Sequence, residues 1–322
     1  LDLARLMIDL DPPEHTRLKS LVNRGFTPKA MRMLEEHFRE VAIQLIDEAL
    51  QEKDLDFVDK VSAELPLIAI AELVGIPVED RRKVFHWSNT MIGTTDPDFA
   101  GSPEDAQIAA GELYMYSNEI AAQRKLEPKD DIITTLISEH DGDVLTEHEF
   151  DLFMLLLAVA GNETTRNGIS HGVLAMIENP DQWNLLKNDS SLVTTAVEEI
   201  LRWGTPVNNF RRTAVCDVEL HGVQIKEGEA VAMLYPSANR DGTVFKDPFK
   251  FDITRNPNPH VTFGGGGPHF CLGANLARLE MRILFEEMAK RIDRIELTGE
   301  VRKLRSSFIH GIKTLPVQLH AR

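Results

Sequence analysis

The chain has 322 residues, 43% apolar and 27% charged, enough core material for a soluble globular protein and unlike a disordered tail, a collagen or a coiled coil. Its 51 acidic residues outweigh 35 basic ones to give a net charge of -16, a field that repels phosphate backbones and argues against nucleic-acid binding. Two cysteines, Cys216 and Cys271, can build neither a disulfide framework nor a cysteine-based zinc site, so the reduced cytoplasm is the expected compartment.

Residues 1–203 read mainly as helix. Asp11-Pro12-Pro13-Glu14 is a helix-start signal, with prolines ahead of a periodic segment. From His15 to Leu34 there is no acid, while Arg17, Lys19, Arg24, Lys29 and Arg32 are basic. That stretch is either a solvated helix face or a docking patch for an acidic partner. Leu34, Phe38, Val41, Leu45 and Ala49 recur at three- and four-residue spacing, the pattern of an amphipathic helix. Gly75-Ile76-Pro77 and Asp96-Pro97 punctuate the shorter helices that follow. Thr146-Glu147-His148-Glu149 is a capping box that opens a long apolar helix, closed by Asn179-Pro180. Those limits predict ~30 residues and ~45 Å, enough to cross a domain. Its apolar run, Leu152 to Gly161, is about half of the ~20 residues a bilayer requires, so no transmembrane segment is expected.

Over 204–322 the character changes. Arg212 to Tyr235 alternates β-branched and polar residues, with turns at His221-Gly222 and Glu227-Gly228, predicting a small antiparallel sheet. An irregular stretch from Pro236 to His260 leads to a glycine-rich loop, Phe263 to Gly273, and then a helix from Ala274 to about Arg291. Ser306 to Leu319 reads as strands. No repeat, low-complexity segment or linker interrupts the chain, and strands never alternate with helices as a βαβ fold requires. The expected architecture is one domain over 1–322, mainly α with small antiparallel β-sheets.

Three motifs compete for the chemistry. Gly168-Ile169-Ser170-His171-Gly172 matches the G-x-S-x-G elbow of serine hydrolases, but that elbow needs a strand-to-helix turn, and here the serine falls inside the long helix. Gly264 to Gly267 fits neither established phosphate-loop pattern. The same loop read around its cysteine is more informative. Glycines without Cβ atoms let a flat ligand approach the backbone, and Cys271 sits just before a helix start, where amides and the helix dipole favour a thiolate. Taken singly, a lone cysteine is more often a small buried hydrophobe.

The loop Phe263–Gly273 resembles the haem-binding loop of the cytochrome P-450 family, the haem-thiolate monooxygenases. Other elements of that family appear in the same order. Glu163 and Thr164, in Ala160-Gly161-Asn162-Glu163-Thr164-Thr165, look like the acid–alcohol pair of the oxygen-binding helix. There the threonine would bond back to the Ala160 carbonyl and open the helix locally. Glu199-Ile200-Leu201-Arg202 is similar to the family's E-x-x-R element, completed by Arg255 as a structural charge network; alone, such a pair is usually a surface ion pair of little energetic consequence. Within the family, 158–167, Arg255–His260 and Gly311-Ile312-Lys313 resemble bacterial enzymes that oxidise sterol side chains and methyl-branched lipids, as does the one-residue insertion between Phe263 and the cysteine. The resemblance also implies that the family's N-terminal sheet and the loop roofing its pocket lie outside this chain.

What the resemblance implies is specific. Cys271 would ligate the iron of haem b, and His15, Lys19, Arg211 and His269 would hold the haem carboxylates, Lys19 in place of a more usual arginine. Glu163 and Thr164 would relay protons to bound O2. Val159, Ala160, Val207, Phe308 and Ile309 would line a pocket for a hydrophobic substrate, oxidised at a terminal methyl of a sterol side chain or branched lipid. Electrons would come from a ferredoxin-type donor with its reductase, which makes the basic stretch a plausible docking face. Oxidation of fatty acids or terpenoids, and a non-catalytic haem sensor, remain open alternatives.

Overall fold

Pro12 and Pro13 lead into α1 (Glu14–Val22), as their positions predict. The computed structural model describes residues 5–26, 28–93, 96–98 and 102–322, without the side chains of 28–33 and 78. In α2 (Pro28–Ala49) the periodic residues Phe38 and Ala49 are buried, and Leu34, Val41 and Leu45 pack against the same core. A π-helical turn, Val58–Ser62, precedes α3 (Glu64–Val74), which ends where Gly75 turns left-handed at φ 94°. Then follow α4 (Arg81–Ile92), α5 (Pro103–Leu126) and α6 (Ile132–Ile137).

The capping box at Thr146 forms as predicted. Its hydroxyl accepts the Glu149 amide at 3.2 Å while the Glu149 carboxylate accepts the Thr146 amide at 2.8 Å. It opens α7 (Glu147–Glu178), 32 residues of unbroken α-helix. Pro180 starts α8 (Pro180–Asn188), and α9 (Val193–Gly204) follows. α7 packs against α3, α4, α5, α9 and α11 (Ala274–Arg291), which makes it the central element. Among the described residues no helix is long and apolar enough to cross a membrane.

The strands are short and antiparallel. β1 (Leu55–Asp56), β6 (Ile292–Leu297) and β9 (Pro316–Ala321) form a sheet in the order β1-β9-β6. The predicted 212–235 sheet is two separate ladders: β2 (Asn209–Thr213) with β5 (Ala230–Leu234), and the hairpin β3 (Val218–Leu220)–β4 (Val223–Ile225) turning at His221-Gly222. α10 (Tyr235–Ala238) is a single turn. The tail is less extended than its composition predicts. β7 (Arg302–Lys303) pairs with β8 (Ile312–Thr314), and between them Ile309 only bridges to Val207.

The Glu199–Arg202 pair is no surface ion pair. Both side chains are fully buried, joined at 2.7 and 2.8 Å, and Arg202 also donates to the carbonyls of Asn239, Pro248 and Lys250. Glu199 accepts Arg255 at 3.0 Å, Asn258 at 3.1 Å and the Asp252 amide at 2.9 Å. The irregular 236–260 stretch is therefore clamped to α9, and it delivers the glycine loop from there.

A second buried polar contact makes the fold acid-sensitive. His171 of α7 and His310 lie 4.1 Å apart ring to ring, with His171 Nε2 3.0 Å from the His310 carbonyl and His310 Nδ1 2.7 Å from the Gly204 carbonyl. Burial, reinforced by the neighbouring His310, lowers the His171 pKa from 6.5 to about 3. Below pH 6.5 the unfolded chain therefore takes up a proton that the folded chain refuses. Stability should fall as pH drops from 6.5 toward 3, by up to about 1.4 kcal/mol per pH unit from this group. Urea unfolding at pH 7 and pH 5 checks this: His171→Gln, which does not titrate, should shrink the difference between the two pH values, and an unchanged difference would contradict it.

Candidate functional site

One face of α7 forms the wall of an interior cavity. Phe153, Leu157, Ala160, Gly161 and Thr164 line it at three- and four-residue spacing, with Leu156 beside them. Opposite stands the glycine-rich loop, with Cys271 opening into the same space. The Cys271 amide donates to the Phe263 carbonyl at 3.0 Å, which closes the loop on itself. Gly266 and Gly267 adopt φ of 101° and 77°, where a side chain would be strained although space is open around both. Backbone conformation, as much as close ligand approach, demands glycine here.

Burial pushes the Cys271 thiol up, outweighing the amides of Gly273 and Ala274 and the charges of Lys19 and Arg278. A bound metal ion would reverse this, because a coordinating thiol loses its proton.

Cationic and donor groups gather at the same cavity. His15 and His269 line it with their rings 4.1 Å apart, and burial lowers the pKa of each. His15 Nδ1 is buried with no hydrogen-bond partner among the described residues. Lys19 reaches the loop and donates to the carbonyls of Pro268 and Phe270, the latter at 2.8 Å. The arginine of this group requires a correction: Arg212 lines the cavity, and Arg211 does not. Successive strand residues face opposite ways, so on β2 Phe210 and Arg212 turn inward and Arg211 outward; the charge of Arg212 is felt by His269.

Other expected positions divide. Ala160 and Val207 line the cavity, whereas Val159, Phe308 and Ile309 do not. Val159 lies one step round the helix from Ala160. Ile309 is buried beneath Val207, and Phe308 stands edge-on to the lining residue Phe210 at 5.5 Å. Thr164 lines the cavity and its hydroxyl donates to the Ala160 carbonyl at 2.7 Å, as expected, but α7 does not open there. Glu163 faces away from the cavity, buried and ion-paired with Arg166, whose guanidinium also meets Asn89 and lies over Phe85 of α4.

The basic stretch is acid-free in sequence and not in space. Arg17 forks onto Asp143 at 2.8 Å and reaches Glu149 at 2.6 Å, and Arg24 pairs with Asp141. These cations stay partly exposed and tie α1 and the turn after it to the segment before α7 and to its first turn; the side chains of Lys29 and Arg32 lie outside the described residues. Ser170 is buried in mid-helix, bonded to the Arg166 carbonyl at 2.8 Å, with no strand before it, which removes the hydrolase reading.

Two features escaped the motif reading. Arg278 of α11 forks onto Glu198 at 2.6 and 2.9 Å and lies 4.5 Å from the centre of the Phe263 ring, so it braces the residue that accepts the Cys271 amide. Glu280, a fully buried acid, lines the cavity. Neither has a local sequence signal beyond its place on the helix.

The donor set fits haem. Among the described residues no three His, Cys, Asp or Glu side chains are placed to hold a metal, so an ion bound at Cys271 needs ligands from a carrier such as a porphyrin. The orphaned His15 nitrogen, with Lys19, Arg212 and His269, answers the two carboxylates that such a carrier brings.

A family model described as Cytochrome P-450 matches residues 84–293. A steroid C26-monooxygenase of Rhodococcus jostii is 52% identical over 97% of this chain and 65% of that protein. A methyl-branched lipid omega-hydroxylase of Mycobacterium bovis is 44% identical over 97% of this chain and 74% of that protein. A Mycobacterium marinum cytochrome P-450 solved in complex with pseudoionone superposes with a TM-score of 0.93 at 39% identity, covering 98% of this chain and 77% of that one. The chain thus spans about two thirds to three quarters of the length of these proteins.

Proposed function

The chain belongs to the cytochrome P-450 family, and on that premise we propose that it is a haem-thiolate monooxygenase that inserts one oxygen atom of O2 into a terminal C–H bond of a sterol side chain or a methyl-branched lipid. The observation that carries this reading is Cys271 and the donor groups of His15, Lys19, Arg212 and His269 meeting at one cavity whose remaining walls are largely apolar. The substrate class is supported by the relatives' activities and by those walls, which position a hydrocarbon by shape and burial. The whole chain is read as one domain, supported by buried apolar residues that form a contiguous core from Leu21 to Leu319.

Bound haem supplies activation of O2, favoured by thiolate ligation. The rest is the work of this chain. Cys271 would hold the iron through its sulfur, presented by a loop that Phe263 and Arg278 hold in shape. His15, Lys19, Arg212 and His269 would hold the haem carboxylates. Thr164, already committed to the Ala160 carbonyl, presents a hydroxyl where oxygen is handled. Glu163 is the acid next to it in sequence, held by Arg166 on the side of α7 away from the cavity. Electrons come from a partner protein of ferredoxin type with its reductase, in a reduced cytoplasm.

The Arg212 assignment is tested against Arg211. Arg212→Ala should lower haem retention on gel filtration several-fold, while Arg211→Ala leaves it unchanged; the reverse order would restore the original assignment. Substrate class is tested by supplying sterols, branched lipids, fatty acids and terpenoids with a ferredoxin system and identifying products. Hydroxylation at a terminal methyl of the first two classes is expected. Exclusive ring oxidation, or turnover of the latter two alone, would reject it.

A further inference from the structure

Between α4 and α5, Asp96 is fully buried, and its amide donates to the Gly93 carbonyl just past the end of α4. Its carboxylate accepts the Asp98 amide at 2.9 Å and, from the tail of the chain, the Arg305 amide at 2.7 Å and the Lys313 ammonium at 2.8 Å. Lys313 also reaches the Asp98 carboxylate at 2.5 Å, and Arg302 pairs with it as well. Arg302 and Lys313 stand on the paired strands β7 and β8, so both sides of this hairpin are tied to the α4–α5 connection. A second anchor comes from α7, where the buried Asn167 side chain accepts the Ile312 amide at 2.9 Å and donates to the Glu163 carbonyl at 2.8 Å. The tip of the hairpin then bears on the cavity wall. The Asn208 amide donates to the Phe308 carbonyl at 2.8 Å, the His310 amide donates to the Pro206 carbonyl at 2.8 Å, and the Phe308 ring meets Phe210 edge-on. Pro206, Val207 and Phe210 line the cavity, and Asp96, Asp98, Arg302 and Lys313 do not.

We propose that Asp96 is a positioning residue for the cavity: through the β7–β8 hairpin it fixes the wall at 206–210, and with it the shape offered to a hydrophobic substrate. Burial would raise the Asp96 pKa, but the Arg305 amide, Lys313 and the Asp98 amide outweigh it and hold the carboxyl below its usual range, so the anion persists at pH 7. A buried anion must keep its donors, because losing one leaves charge uncompensated. Two of the three donors come from the tail, which therefore cannot shift without the α4–α5 connection. Phe308 and Ile309 then act one layer behind the lining, by holding Phe210 and Val207 in place. The inference rests on the reading of this cavity as the substrate site.

Asp96→Asn keeps the volume but replaces one acceptor by a donor, so at least one of the three contacts is lost. Lys313→Met removes the ammonium from the other side and serves if Asp96→Asn does not fold. Hydrogen exchange of the haem-loaded protein, followed by mass spectrometry, should speed up several-fold over 204–210 and 304–312 in either variant and stay unchanged over α11. Lys313→Arg, which keeps the charge, should restore most of the protection. Spectral titration with 4-phenylimidazole, which must fit the walls, should show affinity lowered several-fold, while that for imidazole, which is small, is unchanged. Unaltered exchange over 204–210, exchange accelerated evenly along the chain, or equal losses for the two imidazoles would overturn the proposal. The exchange result decides the link from Asp96 to the wall whatever the cavity binds. A wild type that forms no imidazole complex would count instead against the proposed activity.

Discussion

Cys271→Ser is expected to abolish substrate oxygenation while leaving the fold intact. The loop is shaped by its backbone, through the Cys271 amide on the Phe263 carbonyl and glycines at positive φ, and serine preserves both. What serine removes is the sulfur. The other cysteine, Cys216, lies on the segment between β2 and β3 and is not among the residues that line the cavity. A hydroxyl is a much poorer donor to iron than a thiolate and does not push electron density toward O–O cleavage. Product formation should therefore fall to background, with an unchanged circular dichroism spectrum and thermal midpoint for the protein without haem. Retained oxygenation would remove the basis of the proposed activity.

The second large effect is on stability. Arg202→Leu leaves the Glu199 carboxylate fully buried without its principal counter-charge and strips donors from three carbonyls of the 236–260 stretch. Breaking a buried pair from one side costs about 3–5 kcal/mol, a large share of the roughly 5–15 kcal/mol that folds a domain. Arg255 still reaches Glu199, so the loss sits within that range instead of compounding it. Urea unfolding should show a strongly lowered midpoint and poor recovery of folded protein. Lys83→Ala, which breaks the i,i+3 pair with Asp80 on an exposed side chain, should leave the midpoint unchanged. Equal shifts for the two variants would mean the buried network has no special weight.

How far the sequence could be read follows from how local each signal is. The start of α7 was legible because a capping box is completed within four residues, and the cysteine loop because its glycines and helix start are contiguous. The depth of the Glu199–Arg202 pair was not, since burial depends on what covers it, and the cover comes from residues 37 to 59 positions further on. Arg211 and Arg212 could not be told apart without knowing which face of β2 meets the cavity, although the inward ring of Phe210 would have decided it. Val159 and Ala160 differ only by helix phase. The pairing of the basic stretch was hidden for the same reason: the acids that meet Arg17 and Arg24, namely Asp141, Asp143 and Glu149, lie 117 to 132 residues away. Glu280 carries no motif at all, because an acid on an amphipathic helix reads as solvent-facing until the helix is packed.

The central claim is that Cys271 holds the iron as thiolate. The carbon monoxide difference spectrum of the reduced, haem-loaded protein reports that ligand directly. The wild type should give the long-wavelength band of thiolate-ligated haem, lost in Cys271→Ser. A wild-type spectrum of the kind given by histidine-ligated haem, or one unchanged by the substitution, would contradict the account.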